Sequence, residues 1–133
     1  MRFLIGTDEA RPVVEHLAKH LRERGHDVER ADVAAWGAMA RDVGERVAAH
    51  DYDQGIVCCW TGTGASIAAN KVTGIRAALC GDAETARGAR KWNDANVLAL
   101  SLRLLSEPVA TEILDAWLDA RYDGTEDASL ALL

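Results

Sequence analysis

The sequence predicts an α/β domain of three layers, with helices covering both faces of a five-stranded parallel sheet. Three observations carry that prediction. Short apolar runs alternate with segments of helical periodicity along the chain. The run at 55–59, GIVCC, is apolar throughout, as in a strand buried on both faces, and it passes through TGTG into good helix formers. Connections are short, and no linker, repeat or low-complexity segment breaks the alternation. Crossovers between parallel strands are nearly always right-handed, so the expected arrangement is Rossmann-like.

Taken in order, residues 2–5 read as the first strand, with Gly6, Thr7, Asp8 and Glu9 in the loop leaving its carboxyl end. A helix follows: Pro12 sits early, where its missing N–H is harmless, Val13, Val14, Leu17 and Leu21 form one face, and Gly25 stops it. Residues 27–31 are the second strand and 34–48 the second helix. The third strand spans 55–59, the turn 60–64 and the next helix 65–71. Gly74 marks a turn, 76–80 the fourth strand, 83–91 a helix and 97–100 the fifth strand. Pro108 opens the last helix, where Val109, Ile113, Leu114, Trp117 and Leu118 make a stripe and Gly124 is the expected stop.

At 133 residues the chain reads as one domain, 1–133, able to bury roughly two thirds of the surface its unfolded form exposes. Three cysteines, two of them adjacent, with no CxxC pair or zinc-type Cys/His spacing, argue against a disulfide framework or structural metal and for a reducing cytoplasm. No apolar stretch reaches the roughly 20 residues of a membrane span, and no leader-like segment opens the chain. The net charge of -6 carries no basic block, which argues against nucleic acid and anionic membrane as main partners.

Chemistry concentrates where the third strand ends. Neighbouring strand residues face opposite ways, so Cys58 and Cys59 cannot both reach one site, and Cys59 is nearer the loop. A thiol beside a helix N-terminus can act as base or nucleophile, yet a cysteine on a buried strand is more often a small core residue, and Cys59 alone favours that reading. Gly62, Thr63 and Gly64 let backbone amides approach a ligand, although a lone GxG often marks only a tight turn. Asp8 could orient a hydroxyl group or cap the first helix, and residues alone favour the cap. Asn93, Asp94 and Asn96 fit sugar contacts or a turn. His16 and His20, at i,i+4 without a third ligand, read as solvated helix positions.

The block GIVCCWTGTGASIAANKVTGIRAALCGD, followed by WNDANVLAL and EILDAWL, resembles the family of ribose-5-phosphate isomerase B and the galactose-6-phosphate isomerase subunits over nearly the whole chain. The resemblance implies an aldose–ketose isomerase that moves a proton between C1 and C2 through a cis-enediol(ate), without cofactor or metal, on a sugar or sugar phosphate. It implies Cys59 as catalytic base, Thr61 beside it, Asp8 orienting the sugar, and the amides of Gly62, Thr63 and Gly64 holding the oxyanion. Asn93 falls on an asparagine lining the sugar site and Arg103 on an arginine that contacts phosphate. Members are at least dimeric, with sites completed by a neighbour, so a homodimer or homotetramer is expected, its C-terminal helix and tail at the interface; a hetero-oligomer is the alternative.

Departures from the family pattern shape the expectation. GTDEAR replaces GCDHAG, putting Glu9 for a histidine and Arg11 for a glycine, and both are carried as substrate-binding positions. Trp92 stands for the ring-opening histidine and Trp60 for the glycine after the catalytic cysteine. Glu126, Asp127 and Leu130 replace the Arg, His and Arg that clamp phosphate, and like charge there repels a dianion. The rival expectation is a non-catalytic or partner-dependent subunit, or a sugar-binding relative.

Overall fold

A computed structural model describes residues Met1–Leu133. Its elements run β1 (Arg2–Thr7), α1 (Pro12–Glu23), β2 (Asp27–Arg30), α2 (Trp36–Ala48), β3 (Gln54–Cys59), α3 (Thr63–Asn70), β4 (Ala77–Leu79), α4 (Ala83–Asn93), β5 (Val97–Ser101), α5 (Glu107–Asp119) and α6 (Asp127–Leu130). All five strands are parallel, in the order β2-β1-β3-β5-β4. The predicted three-layer fold is therefore present.

The strand alternation divides two cores. Phe3, Ile5, Ile56, Cys58, Leu98 and Leu100 face α1, α4 and α5, while Leu4, Val57, Cys59, Val97 and Ala99 face α2 and α3. Each odd-even switch along a strand sends its side chain to the other layer, so both faces are apolar and β3 is buried along its length. Trp117, 1 % exposed, crosses from α5 to donate its indole N–H to Gln54 Oε1 at 2.7 Å, which satisfies the buried polar atom at the start of β3.

Several boundaries move for physical reasons. β1 runs on to Thr7 because β3 continues to pair with it there. β4 shrinks to Ala77–Leu79, as befits an edge strand with a neighbour on one side only. α3 begins at Thr63 instead of residue 65, since Gly62 takes a left-handed φ of 76° and ends the turn early. α5 stops at Asp119, well before Gly124, whose φ of 79° instead precedes the short α6. His16 and His20 are not solvated: they lie between α1 and α5, their Nε2 atoms 2.8 Å from Thr111 Oγ1 and 2.7 Å from Asp115 Oδ1. No helix is long and apolar enough to cross a membrane.

Candidate active site

The chain runs from β1 outward to β2 and then returns across β1 to β3, so the carboxyl ends of β1 and β3 open a crevice at the switch in strand order. Thr7 pairs with Cys58, and the next amide, Asp8 N–H, donates to the Cys58 carbonyl at 3.2 Å. Thr7 Oγ1 donates to the Glu9 carbonyl at 2.7 Å and accepts from Glu9 N–H at 3.3 Å, which turns the loop tightly around Asp8. Asp8 does not cap α1: that position is Arg11, which makes no side-chain cap bond. Asp8 Oδ1 is instead buried with no partner. Burial pushes the Asp8 carboxyl above its usual range, with the charge of Glu9 adding to it and a backbone bond opposing.

The parity of β3 separates its cysteines. Cys58 is fully buried against α1 and α5, and burial pushes its thiol up to about 12. Cys80 is likewise pushed up to about 12 by burial. Cys59 faces α2 and α3 at the strand's last position and keeps 4 % exposure. All three thiols are free, and opposite orientation keeps the adjacent pair apart.

The loop above Cys59 is pinned to the end of β5. Leu102 N–H donates to the Cys59 carbonyl at 2.9 Å, and the Trp60 carbonyl accepts from Arg103 N–H at 2.9 Å and Ser101 Oγ at 3.0 Å. Gly62 then turns the chain: a Cβ there would sit 2.6 Å from Leu79 Cδ1 and 2.9 Å from the Leu100 carbonyl carbon, so no other residue fits without displacement. α3 starts at once, and the N–H groups of Thr61 through Ala65 are taken by no carbonyl or side chain of the protein. Thr61 Oγ1 and Thr63 Oγ1 share a hydrogen bond of 2.7 Å. Trp36, at the head of α2, lies over Gly64, where a Cβ would come within 2.9 Å of its ring. Such a cluster of free donors at a helix N-terminus favours negative charge.

Arg11 joins the two loops. Its Nη2 lies 3.0 Å from Glu9 Oε1 and its guanidinium sits 5.0 Å from the centre of the Trp60 ring. Asp8, Glu9, Arg11, Cys59, Thr61, Gly62, Thr63, Gly64 and Arg103 thus share one end of the sheet. Trp92 and Asn93 do not. They end α4 on the way into β5, whose Val97 pairs with Gly55 at the opposite end of β3. At about 3.3 Å per residue that is a full strand length from Cys59. Both line a groove of about 870 Å³ along the β4 edge, with Leu79, Gly88 and Leu133. Glu126, Asp127 and Leu130 belong to that far end too: the Tyr122 hydroxyl donates to Asp127 Oδ1 at 2.5 Å, and Leu130 lines a hollow with Gly74 and Asp94. Sequence reasoning missed Trp36, which has no motif of its own, and Ser101, whose place one step past the fifth strand was its only signal. No group of three or more His, Cys, Asp or Glu side chains is placed to hold a metal ion.

Comparison with known proteins follows the same pattern of residues. The family model described as Ribose/Galactose Isomerase matches residues 3–130. Ribose-5-phosphate isomerase B of Escherichia coli (strain K12) is 40 % identical over 131 residues, covering 92 % of this chain and 87 % of the relative. The solved structure of Clostridium thermocellum ribose-5-phosphate isomerase B superimposes with a TM-score of 0.93 at 37 % identity, covering 99 % of this chain and 94 % of that one. Ribose-5-phosphate isomerase B from Mycoplasma genitalium, solved with bound ribulose-5-phosphate, gives a TM-score of 0.88 at 29 % identity, over 98 % and 95 % of the two chains. With a match that spans nearly every residue, and with strands, loop and helix in the same order, this chain belongs to the ribose/galactose isomerase family.

Proposed function

We propose that this protein is a sugar-phosphate aldose–ketose isomerase, and one observation carries the reading: a thiol, an unpaired carboxylate oxygen and a run of unpartnered amides all stand at the carboxyl ends of β1 and β3. Kinship with ribose-5-phosphate isomerase B, including a relative solved with ribulose-5-phosphate, supports a phosphorylated sugar as substrate. The same kinship disfavours the inert-subunit alternative.

The chemistry follows from what each group can do. Cys59, as thiolate, takes the proton from the carbon next to the carbonyl and returns it to the neighbouring carbon. The electron pair released forms the carbon–carbon double bond as the carbonyl π pair moves onto its oxygen, giving the cis-enediolate. The neighbouring hydroxyl then gives up its proton and becomes the new carbonyl as the double-bond pair takes the proton from Cys59 and the first oxygen is protonated. Amides from Gly62 to Ala65 stabilise that oxyanion, an interaction worth about 3 kcal/mol for a single well-aimed donor. Thr61 steadies the hydroxyl beside the thiol. Asp8 exchanges the hydroxyl proton between the two oxygens, a task suited to a carboxyl whose affinity for protons burial has increased. Every step uses side chains and backbone of the protein itself, with no cofactor or metal.

The distance of Trp92 and Asn93 from Cys59 supports a homodimer in which one protomer's α4 end faces its partner's crevice. The β4-edge groove, with Leu79 and Trp92 exposed and the C-terminal Leu133 in its wall, is the surface that such a partner covers. A homotetramer would pair two such dimers. Free thiols fit a reducing cytoplasm. The test is direct: aldose and ketose phosphates of four to six carbons are incubated with the protein and followed by NMR. Approach to an aldose–ketose equilibrium in at least one pair is expected, and inertness toward all of them contradicts the proposal.

A further inference from the structure

We infer that Arg11, stacked on Trp60 and tethered by Glu9, is the specificity-determining residue that holds the anionic end of the substrate, within the protomer that supplies Cys59. The inference rests on the isomerase reading for its substrate, but its geometry stands apart from it.

A dianionic substrate needs a cation at the site, and most of the arginines are engaged elsewhere. Arg24 is bound to Asp115 and Asp119 and Arg30 to Glu15 on the outer face of α1, while Arg76 and Arg90 pair with Asp94 at the far end of the sheet. The C-terminal tail offers acids, Glu126 and Asp127, and lies at that far end as well. Arg103 and Arg11 both stand at the end that carries Cys59, and of the two only Arg11 has its side chain held in place. It leaves the β1 loop three residues after Asp8 and reaches the β3 loop, where Trp60 supports its guanidinium face at 5.0 Å. Only Nη2 is engaged, with Glu9 Oε1 at 3.0 Å, so Nε and Nη1 have no partner in the protein. The side chain is 37 % exposed, open enough to meet a ligand.

Those features make a preorganised anion holder. Stacking fixes the plane of the guanidinium and leaves its edge, where the N–H fork lies, available to two oxygens at once. The tether removes rotamer freedom before substrate arrives. α1 begins at the next residue, so its positive end adds to the same potential. Glu9 sets the balance: its charge holds the arginine and weakens the pull on an anion, so the site suits a ligand with charge enough to compete.

Calorimetric titration with inorganic phosphate and steady-state kinetics decide the matter together, using the full chain. Arg11→Ala is expected to weaken phosphate binding and to raise KM for a sugar phosphate about tenfold to a hundredfold, the range of a lost charge-assisted fork, with kcat little changed. The unphosphorylated sugar should react at an unaltered rate, and Arg11→Lys should recover part of the loss. Trp60→Ala should give a smaller rise in KM, and Glu9→Gln should tighten phosphate. Equal losses for phosphorylated and neutral sugars overturn the inference. So does unchanged phosphate binding in Arg11→Ala, or a loss seen with Arg103→Ala alone. If the unmodified protein isomerises no sugar phosphate, the isomerase reading fails, and the phosphate titration of Arg11→Ala still decides the role of Arg11.

Discussion

The β1/β3 crevice and the β4-edge groove differ in what they leave unsatisfied. The groove, about 870 Å³, is lined by apolar side chains, the exposed Leu79, Trp92 and Leu133 among them, together with polar ones such as Asn70 and Glu84. The crevice holds an unpartnered Asp8 oxygen, free amides from Thr61 to Ala65 and a thiol at the end of a strand. Folding ordinarily pairs a group such as the Asp8 oxygen, because a buried polar atom without a partner costs about 1–3 kcal/mol. We read the concentration of these groups at one end of the sheet as the place of chemistry and the groove as a surface for association, where volume alone would choose the groove for both.

The largest effect that tests this contrast lies between adjacent residues. Cys59→Ala should lower kcat by about a thousandfold or more, as loss of a catalytic base does, whereas Cys58→Ala should alter stability and leave kcat nearly intact. Similar kcat values for the two variants would erase the distinction between the faces of β3. Gly62→Ala comes next: the left-handed backbone and the contact with Leu100 should cost about 1–3 kcal/mol in denaturant unfolding, and kcat should fall with the displaced amides. Normal stability and activity would mean that the loop tolerates a side chain where the geometry allows none.

Asp8→Asn separates function from folding. The native carboxyl has its pKa raised above the unfolded value of about 3.9, so its favourable contribution is complete below that value and is lost as pH rises through the native pKa. At neutral pH the buried charge is a liability. The variant should therefore raise Tm at pH 7 while kcat falls by about a hundredfold. A lower Tm would show that Asp8 serves the fold. The groove responds to a milder change. Leu79→Asp should shift sedimentation profiles toward monomer and make activity dependent on protein concentration. A dimer that survives this substitution places the interface elsewhere.

Much of this was legible in the sequence, and particular residues show why. The apolar run GIVCC could only be a strand covered on both sides, and the period of two then assigned Cys58 and Cys59 to different layers. The glycine loop followed by helix formers located the free amides, missing only that α3 starts at Thr63. What stayed hidden depends on register and on packing between distant segments. Trp92 and Asn93 share a motif with the crevice residues, yet the pairing of Val97 with Gly55 puts them at the other end of the sheet. His16 and His20 have no sequence neighbour that reveals Thr111 and Asp115, which lie on a helix some ninety-five positions away. Trp36 covers Gly64 by virtue of where α2 begins, and nothing in its own surroundings announces it.

Solvent deuterium tests the central claim most directly. When the protein converts an aldose phosphate to its ketose in heavy water, the proton handled by Cys59 should exchange, and NMR should find deuterium at C1 of the ketose and at C2 of recovered aldose. Conversion with no deuterium at either carbon would mean that hydrogen passes between them without a solvent-exchanging base, and the thiol at the tip of β3 would then have no part in the reaction.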